Sequence, residues 1–219
     1  MSIDSGIFPN ILKEAQVTPL FKKNDPFLKS NYRPVSILPI DLQKNNMFDH
    51  LLCAFRKEHG CQTTLLRLLE DWKQALDCNE YISAILMDLS KAFDCLPHDI
   101  LICKLSAYGL SDNATKVLLS YLFNKKQQIK IGNIVSTLAD IQKCVPHSSM
   151  LEPLLFNAFI NDIFYFIKHC DIYNYADDNT LSFHSPNFDK VVNVLQQESN
   201  ILINWFHFNC MQANPEKFF

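Results

Sequence analysis

The chain has 219 residues, of which 48% are hydrophobic and 20% charged, and this composition excludes a disordered tail because it supplies enough apolar surface for a core. The formal net charge of −3 gives by itself no indication of a nucleic-acid partner. The longest apolar run, 154–167, is interrupted by Asn157, Asn161 and Asp162, which argues against a membrane span and a membrane partner.

The N-terminus and the cysteines both indicate an intracellular protein. The first ten residues, MSIDSGIFPN, lack the basic and apolar segments of a secretory signal, so we expect no secretion and a location in the nucleus or cytoplasm. The eight cysteines form no CxxC pair. In a reducing compartment they are expected as free thiols with no disulfide partner.

Charge is unevenly distributed along the chain. Residues 104–143 contain six lysines and two acids, whereas residues 150–219 contain eight acids and three lysines. A basic segment beside an acidic one suits a protein that holds a polyanion next to a cation-binding centre. Ordinary solvated surface charge is the alternative.

The N-terminal half begins irregularly and then becomes regular. Residues 1–40 contain five prolines, which predicts extended segments and loops. From Gln62 onward, apolar residues recur at three- and four-residue spacing, which predicts a helix with Thr63 as its N-cap. Residues 81–87, YISAILM, form a short apolar run that ends at Asp88 and predicts a buried strand.

The middle of the chain predicts two helices and a hairpin. Residues 99–108 and 111–123 have helical patterns separated by Gly109, a suitable helix C-cap. Residues 127–138, QQIKIGNIVSTL, alternate on both sides of Gly132 and Asn133, which predicts a β-hairpin.

The C-terminal third predicts a helix, a hairpin and a helix. Residues 154–168 are apolar nearly all round and predict a buried helix. Residues 171–183, DIYNYADDNTLSF, predict a strand, a turn and a strand, with Asp177 and Asp178 at the turn. Residues 188–205 have an amphipathic helical pattern. Helices mixed with hairpins predict an α+β domain.

Three carboxylates stand out by their positions in these elements. Asp88 closes an apolar strand, and Asp177 and Asp178 are adjacent at the tip of a hairpin. Mg²⁺ prefers oxygen ligands, and two-metal phosphoryl chemistry requires carboxylates from separate elements. Aspartate is also an ordinary turn residue, so a turn without a metal is the alternative.

Four motifs follow one another along the chain: NYRPVSILP at 31–39, AILMDLSKAFD at 84–94, CVPHSSMLEPLLFNAFINDI at 144–163 and YADD at 175–178. Their order and approximate spacing resemble a reverse transcriptase, the RNA-directed DNA polymerase of non-LTR retrotransposons of the LINE or jockey-like type. YADD alone is a weak signal, whereas MDLSKAFD followed by LLFNAFINDI and YADD is very specific. The resemblance extends over nearly the whole chain, from residue 13 to residue 219.

The resemblance implies a right-hand polymerase fingers–palm fold of the α+β class, in which an antiparallel palm sheet packs on helices. Residues 1–61 are expected to form a partial fingers region. Residues 62–219 are expected to form the palm with the remaining fingers elements, in a single reverse transcriptase domain. Because the family continues into a thumb beyond the position of Phe219, we expect a truncated domain with the thumb absent.

The resemblance also implies the chemistry. Asp88, Asp177 and Asp178 match the catalytic carboxylates that hold two Mg²⁺ ions, with Mn²⁺ as the alternative metal. The implied reaction is nucleotidyl transfer from a dNTP to a primer 3′-hydroxyl. The implied partners are an RNA template, a DNA primer and dNTPs.

Several residues match nucleotide-binding positions of the family. Phe93 matches an aromatic steric gate against the ribose 2′-hydroxyl. Arg33, with Lys22 or Lys23, lies in the fingers motif that contacts the triphosphate. Lys217, in NPEKF, matches a palm lysine that protonates pyrophosphate.

One motif departs from the family pattern. The loop expected as GVPQGSxLGP reads CVPHSSMLEP at 144–153, so Cys144, Ser148 and Glu152 replace three glycines. These changes add side chains where the family brings the backbone close to the template and nucleotide. His147 replaces a nucleotide-contacting glutamine and stays a nucleotide-binding candidate with a different donor and acceptor pattern. The departures predict a partly degenerate copy.

Two other interpretations stay open. A catalytically inactive retroelement remnant would bind nucleic acid weakly at most, through the lysines of residues 104–143. A zinc-binding module would use five residues whose spacing fits no tight tetrahedral pattern: His59, Cys61, Cys95, His98 and Cys103.

Overall fold

The computed structural model describes residues 14–17, 20–21, 32–33, 48–56, 58–89, 96–123, 125–131, 133–141 and 151–213. The chain separates into two compact units, each made of two chain segments. The first comprises Met1–Pro39 and Phe93–Leu155, and the second comprises Ile40–Ala92 and Phe156–Phe219. The division into fingers at 1–61 and palm at 62–219 stays a prediction.

The described residues form groups of strands and groups of helices, and all strand pairs but one are antiparallel, which confirms the α+β class. The strands are β1 Glu14–Val17, β2 Leu20–Phe21, β3 Tyr32–Arg33, β4 Tyr81–Asp88, β5 Lys125–Ile131, β6 Ile134–Val135, β7 Ala139–Ile141, β8 Asp171–Tyr175 and β9 Asp178–Ser185. The helices are α1 Cys61–Asp77, α2 His98–Ala107, α3 Asp112–Leu122, α4 Glu152–Ile160, α5 Ile163–Phe166 and α6 Phe188–Phe208.

The first unit combines short strands with a helix pair. β1 pairs in parallel with β5, which pairs antiparallel with β6 and β7, and β2 pairs antiparallel with β3. Ile131 lies opposite Ile134, which confirms the predicted hairpin. α2 and α3 pack against each other. Between them Gly109 has φ 91, a conformation that ends a helix and favours glycine.

The second unit is built on a three-stranded antiparallel sheet in the order β4–β9–β8. β4 pairs with β9 along its whole length, so that Asp88 lies opposite Asp178. β8 and β9 are joined by Ala176 and Asp177. The predicted strand, turn and strand are therefore confirmed, with Asp177 in the turn and Asp178 as the first residue of β9.

One face of this sheet is covered by α1. Trp72 Nε1 donates a hydrogen bond to Ser182 Oγ at 2.9 Å. Tyr173 OH donates to Asp71 Oδ2 at 2.7 Å. Side chains alternate between the two faces along a strand, and the register places Asp88 and Asp178 on the same face as Ser182 and Tyr173.

α6 packs on the opposite face, where the Tyr81 ring of β4 contacts the Phe188 ring edge-on. The core of the second unit contains large side chains that are almost fully buried: Met87, Phe156, Phe159, Ile160, Ile163, Leu181, Leu202 and Phe206. α6 extends three residues past its predicted end. None of the helices in the described residues has the length and apolarity that a bilayer crossing requires.

The predicted continuous helix over 154–168 is wrong. α4 and α5 occupy this segment and are separated by Asn161 and Asp162. Asn161 Oδ1 accepts a hydrogen bond from Asp49 N–H at 2.7 Å, and the Asp162 carbonyl accepts one from Tyr165 N–H at 3.0 Å as α5 begins. Apolar residues continue on both sides of these two polar residues, so periodicity did not reveal that the helix breaks there.

Two smaller predictions also need correction. The N-cap of α1 is Gly60, and Thr63 lies in the first turn, where its Oγ1 accepts a hydrogen bond from Gly60 N–H at 3.4 Å. The strand over 81–87 is not buried throughout, because Met87 is 2% exposed whereas Tyr81 is 55% and Leu86 is 46% exposed. The helices cover only part of each face, which an apolar run in the sequence does not reveal.

Candidate active site

The tip of the β8–β9 hairpin carries two adjacent carboxylates. Tyr175 and Asp178 form the last pair of the hairpin, so its turn consists of Ala176 and Asp177. Ala176 has φ 57, in the left-handed region where a residue with a Cβ atom is strained. Strained backbone concentrates at functional sites, which makes this turn a functional candidate.

The third carboxylate lies across the sheet from this turn. Asp88 is the last residue of β4 and lies directly opposite Asp178. Residues in this arrangement share a face, with Cβ atoms about 4.5–5.5 Å apart. Leu89 donates its N–H to the Asp177 carbonyl at 3.2 Å, so the end of β4 is bonded to the turn. The fold therefore brings the three predicted carboxylate residues to one edge of the sheet.

This end of the sheet face is accessible from solvent. Asp178 is exposed, and Asp88 and Asp177 are half-buried. Leu86, two residues before Asp88 on the same face, is 46% exposed. Solvent therefore reaches the side chains at this end of the face.

The donor chemistry of these residues fits a divalent cation. Like charges directly opposite each other destabilise an antiparallel pair, and a bound cation would offset that repulsion between Asp88 and Asp178. Carboxylate oxygens are the ligands that Mg²⁺ prefers. In the part of the chain that the structure describes, no group of three or more His, Cys, Asp or Glu side chains is arranged to hold a metal ion. The fit of these residues to a divalent cation therefore rests on their carboxylate oxygens and on their position at the same end of the sheet.

The opposite end of the same face is held by α1. Arg67 lies over the Tyr173 ring, with its guanidinium carbon 5.3 Å from the ring centroid. Burial, and then the hydrogen bond to Asp71, raise the pKa of Tyr173, so its phenol stays protonated and donates. The contacts of this end join helix to sheet.

Cys170, just before β8, is not a reactive thiol. Burial, together with the charges of Glu198 and Asp171, raises the pKa of Cys170 from 9.0 to about 12. A thiol with such a pKa is protonated at neutral pH, which disfavours reaction as a nucleophile.

Two residues beside the turn were missed by sequence reasoning. Asn174 and Asn179 are buried and lie directly opposite each other in β8 and β9. Their side chains bond to the backbone of the turn. The sequence signal that could have found them is the asparagine on each side of YADD. In a strand, both asparagines face the side of the sheet opposite to that of their immediate neighbours.

Most predicted nucleotide-binding residues lie outside the described residues, namely Lys22, Lys23, Phe93, His147 and Lys217. Arg33 lies in β3 opposite Leu20, and only its backbone is described. Of the altered loop over 144–153, residues 144–150 also lie outside, and Glu152 is the first residue of α4.

For the zinc alternative, Cys95 lies outside the described residues. The other four candidates of that module, His59, Cys61, His98 and Cys103, are described and belong to no metal-binding group there.

The chain matches the family described as "Reverse transcriptase (RNA-dependent DNA polymerase)" over residues 21–219. It is 28% identical, over 96% of its length, to the "Probable RNA-directed DNA polymerase from transposon BS" of Drosophila melanogaster. It is 24% identical, over 98% of its length, to the "RNA-directed DNA polymerase from mobile element jockey" of the same species. The chain spans 26% of the length of each of these relatives.

Among solved structures, the fold is similar to telomerase from Candida albicans in complex with the TWJ fragment of telomeric RNA. The TM-score is 0.59 at 12% sequence identity, and the match covers 97% of this chain and 43% of that chain. At this identity the likeness concerns the fold alone.

An antiparallel sheet packed on helices, with carboxylates at the end of one strand and at the adjacent hairpin turn, fits the fingers–palm fold of polymerases. The chain belongs to the reverse transcriptase (RNA-dependent DNA polymerase) family, since the family match covers most of its length. The predicted resemblance to the reverse transcriptase domain of a non-LTR retrotransposon of the jockey type is confirmed by these relatives. Divalent-metal dependence is general in this family.

Proposed function

We propose that this domain is an RNA-directed DNA polymerase that transfers nucleotides from dNTPs to a primer 3′-hydroxyl. The observation that carries the proposal is that Asp88 and Asp178 are cross-strand neighbours on one sheet face, with Asp177 in the adjoining turn. Family membership supports the same reaction. Because the relatives are much longer, the proposal concerns only the nucleotidyl-transfer step of this domain.

In this proposal Asp88, Asp177 and Asp178 hold two Mg²⁺ ions, for which Mn²⁺ is a substitute. Ions bound there would supply a lower pKa for the primer 3′-hydroxyl and charge neutralisation for the pyrophosphate leaving group. The chain's own contribution is to fix where the carboxylates stand. The β4–β9 register holds Asp88 against Asp178, and the Leu89 hydrogen bond holds the turn against β4.

The roles of six nucleotide-binding residues are proposed from the family resemblance: Lys22, Lys23, Arg33, Phe93, His147 and Lys217. A guanidinium suits bidentate binding of a triphosphate, and a lysine supplies a mobile point charge. Phe93 would exclude a ribose 2′-hydroxyl, and Lys217 would donate a proton to pyrophosphate.

An RNA template and a DNA primer are the proposed macromolecular partners. Both curated relatives are named RNA-directed DNA polymerases, and the telomerase neighbour was solved with an RNA fragment. In this proposal a primer end would lie beside the carboxylates at the open end of the sheet face, where Leu86 is exposed.

Primer extension on an RNA template, with Mg²⁺ and dNTPs, tests the proposal. Asp177→Asn keeps the side-chain shape and removes the charge, so we expect extension to fall by roughly 10²–10³-fold or more. Circular dichroism of both proteins controls for folding. Extension that survives in the variant would remove the carboxylate assignment.

The second candidate is an inactive remnant that binds nucleic acid. It is favoured by exposed lysines in the first unit: Lys116, Lys126 and Lys130. Such binding would weaken with salt, because phosphate contacts release counterions, and it would be insensitive to Asp177→Asn. Folded wild-type protein that binds RNA without extending a primer would favour this candidate. Affinity that is unchanged between low and high salt would count against it.

A further inference from the structure

Two buried asparagines flank the turn that carries Asp177. Asn174 lies in β8 and Asn179 lies opposite it in β9. Because side chains alternate along a strand, both lie on the face opposite the one that carries Asp88 and Asp178. Asn179 is also opposite Met87, which is 2% exposed, so packing alone would favour apolar residues there.

The two amide groups bind both carbonyls of the turn. Asn174 Nδ2 donates to the Ala176 carbonyl at 2.9 Å and to Asn179 Oδ1 at 2.9 Å. Asn179 Nδ2 donates to the Asp177 carbonyl at 3.2 Å. The same Asp177 carbonyl accepts the Leu89 N–H from the end of β4 at 3.2 Å. The turn is thus bonded from its own hairpin and from the strand that carries Asp88.

The turn needs such bonds because Ala176 is left-handed, with φ 57. A residue with a Cβ atom disfavours this conformation, so other turn conformations compete with it. Hydrogen bonds to both turn carbonyls favour the observed conformation over its competitors. Burying an amide is itself unfavourable, and among the described residues Asn174 Oδ1 has no hydrogen-bond partner. A gain in core stability alone does not account for this pair.

We propose that Asn174 and Asn179 are positioning residues that hold the Ala176–Asp177 turn and so set where the Asp177 and Asp178 carboxylates stand relative to Asp88. The inference rests on the proposed function for the role of the carboxylates. Sites that hold metals or reacting groups depend on such supporting hydrogen bonds, because small displacements of ligands are costly.

The test uses the full chain with Asn174→Leu, Asn179→Leu and the double variant. Leucine has nearly the shape of asparagine without its polar atoms. The double variant keeps the test valid if a single variant unfolds, because removing both partners is less costly than leaving one buried group unpaired.

Asn157→Leu is the matched control. Asn157 is equally buried, its Nδ2 donates to the Ala54 carbonyl at 2.8 Å, and its Oδ1 likewise has no partner among the described residues. Its hydrogen bond does not involve the turn. Thermal unfolding of all variants establishes which of them fold.

Hydrogen exchange of the Leu89 amide reports on the turn without any metal, because this N–H bonds to the Asp177 carbonyl. We expect exchange roughly tenfold faster in the double variant and unchanged in Asn157→Leu. Mn²⁺ affinity, measured by electron paramagnetic resonance, is expected to weaken roughly tenfold. In primer extension kcat should fall while KM for the dNTP changes little.

Unchanged exchange at Leu89 in the double variant would overturn the inference. Faster exchange with unchanged Mn²⁺ affinity and kcat would also overturn it, because the asparagines would then stabilise the turn without positioning the carboxylates. Wild-type protein that binds no Mn²⁺ would overturn the proposed function and with it the positioning role. That last failure is distinguishable because it is seen before any variant is tested.

Discussion

The two ends of one sheet face differ in what they do. At the covered end, Ser182 accepts a hydrogen bond from α1 and Tyr173 donates one to α1. Arg67 of α1 lies over the Tyr173 ring. At the open end, Asp88 and Asp178 lie opposite each other on a part of the sheet face that solvent reaches. The same strands in the same register build both ends, so the difference comes from side chains and from where α1 lies.

Stability and proposed reactivity are assigned to opposite ends of this face. Each hydrogen bond at the covered end contributes about 0.5–1.5 kcal/mol, and a cation–π contact contributes about 0.5–1 kcal/mol. Like charges opposite each other at the open end cost up to roughly 1 kcal/mol. The covered end therefore offsets the unfavourable charge placement that the proposed chemistry requires.

The largest effect is expected from charge removal at the open end. Asp88→Asn should lower primer extension by roughly 10²–10³-fold, because one of the carboxylates proposed to hold the metal ions loses its charge. Its free energy of unfolding should stay within about 1 kcal/mol of wild type, because asparagine keeps the shape of the aspartate side chain. Primer extension and urea unfolding measure the two effects.

Asp171→Asn is the matched control for that variant. Asp171 is exposed and lies opposite Ser182, on the same face but at the covered end. Its substitution should leave extension within about twofold of wild type. Equal losses in the two variants would show that the ends do not differ in function.

An intermediate effect is expected where α1 meets the sheet. Trp72→Ala removes the hydrogen bond to Ser182 and a half-buried ring, so unfolding free energy should fall by about 2–3 kcal/mol, below the cost for a fully buried ring. Leu76→Ala, exposed on the same helix, should change it by less than about 0.5 kcal/mol. Urea unfolding that gives the same cost for both would contradict the role of the covered end.

The smallest effect is expected from Tyr173→Phe, which removes the hydroxyl that donates to Asp71. Unfolding free energy at neutral pH should fall by about 1 kcal/mol. Because the pKa of Tyr173 is raised in the folded protein, there is a range of pH above 10.0 in which the folded protein keeps the phenol proton and the unfolded protein loses it. The wild-type contribution is therefore present below pH 10.0, the ordinary pKa, and is lost as pH rises above it.

Urea unfolding between pH 7 and pH 11 checks this, because the variant should lack that part of the alkaline loss. Tyr165→Phe serves as the control, since Tyr165 is exposed. An equally steep alkaline loss in Tyr173→Phe and in wild type would exclude Tyr173 as its source.

Local pattern was sufficient for most elements. The helices on either side of Gly109, the hairpin of β5 and β6 and the YADD hairpin appear where periodicity and turn residues predict them. Pattern failed at Asn161, where a polar side chain bonds to a distant backbone N–H inside an apolar run. It also failed for β4, because exposure depends on which neighbours cover a strand.

The residues of the candidate site likewise fall into those that the sequence predicted and those that only the structure revealed. Asp88, Asp177 and Asp178 were predicted from strand ends, a turn and family motifs. Asn174 and Asn179 were not predicted, because the role of a polar residue in a strand can be recognised only when its hydrogen-bond partners are known. Those partners are the Ala176 and Asp177 carbonyls, in a turn whose left-handed conformation no sequence pattern had indicated.

By itself the sequence determined the family and the α+β class and pointed to three candidate carboxylates, because these depend on residue type and on order along the chain. Only the tertiary structure decided that Asp88 lies opposite Asp178. That register depends on pairing along the whole of β4 and β9, two strands far apart in sequence. A slip of one residue would turn one of these carboxylates to the opposite face, where α6 packs.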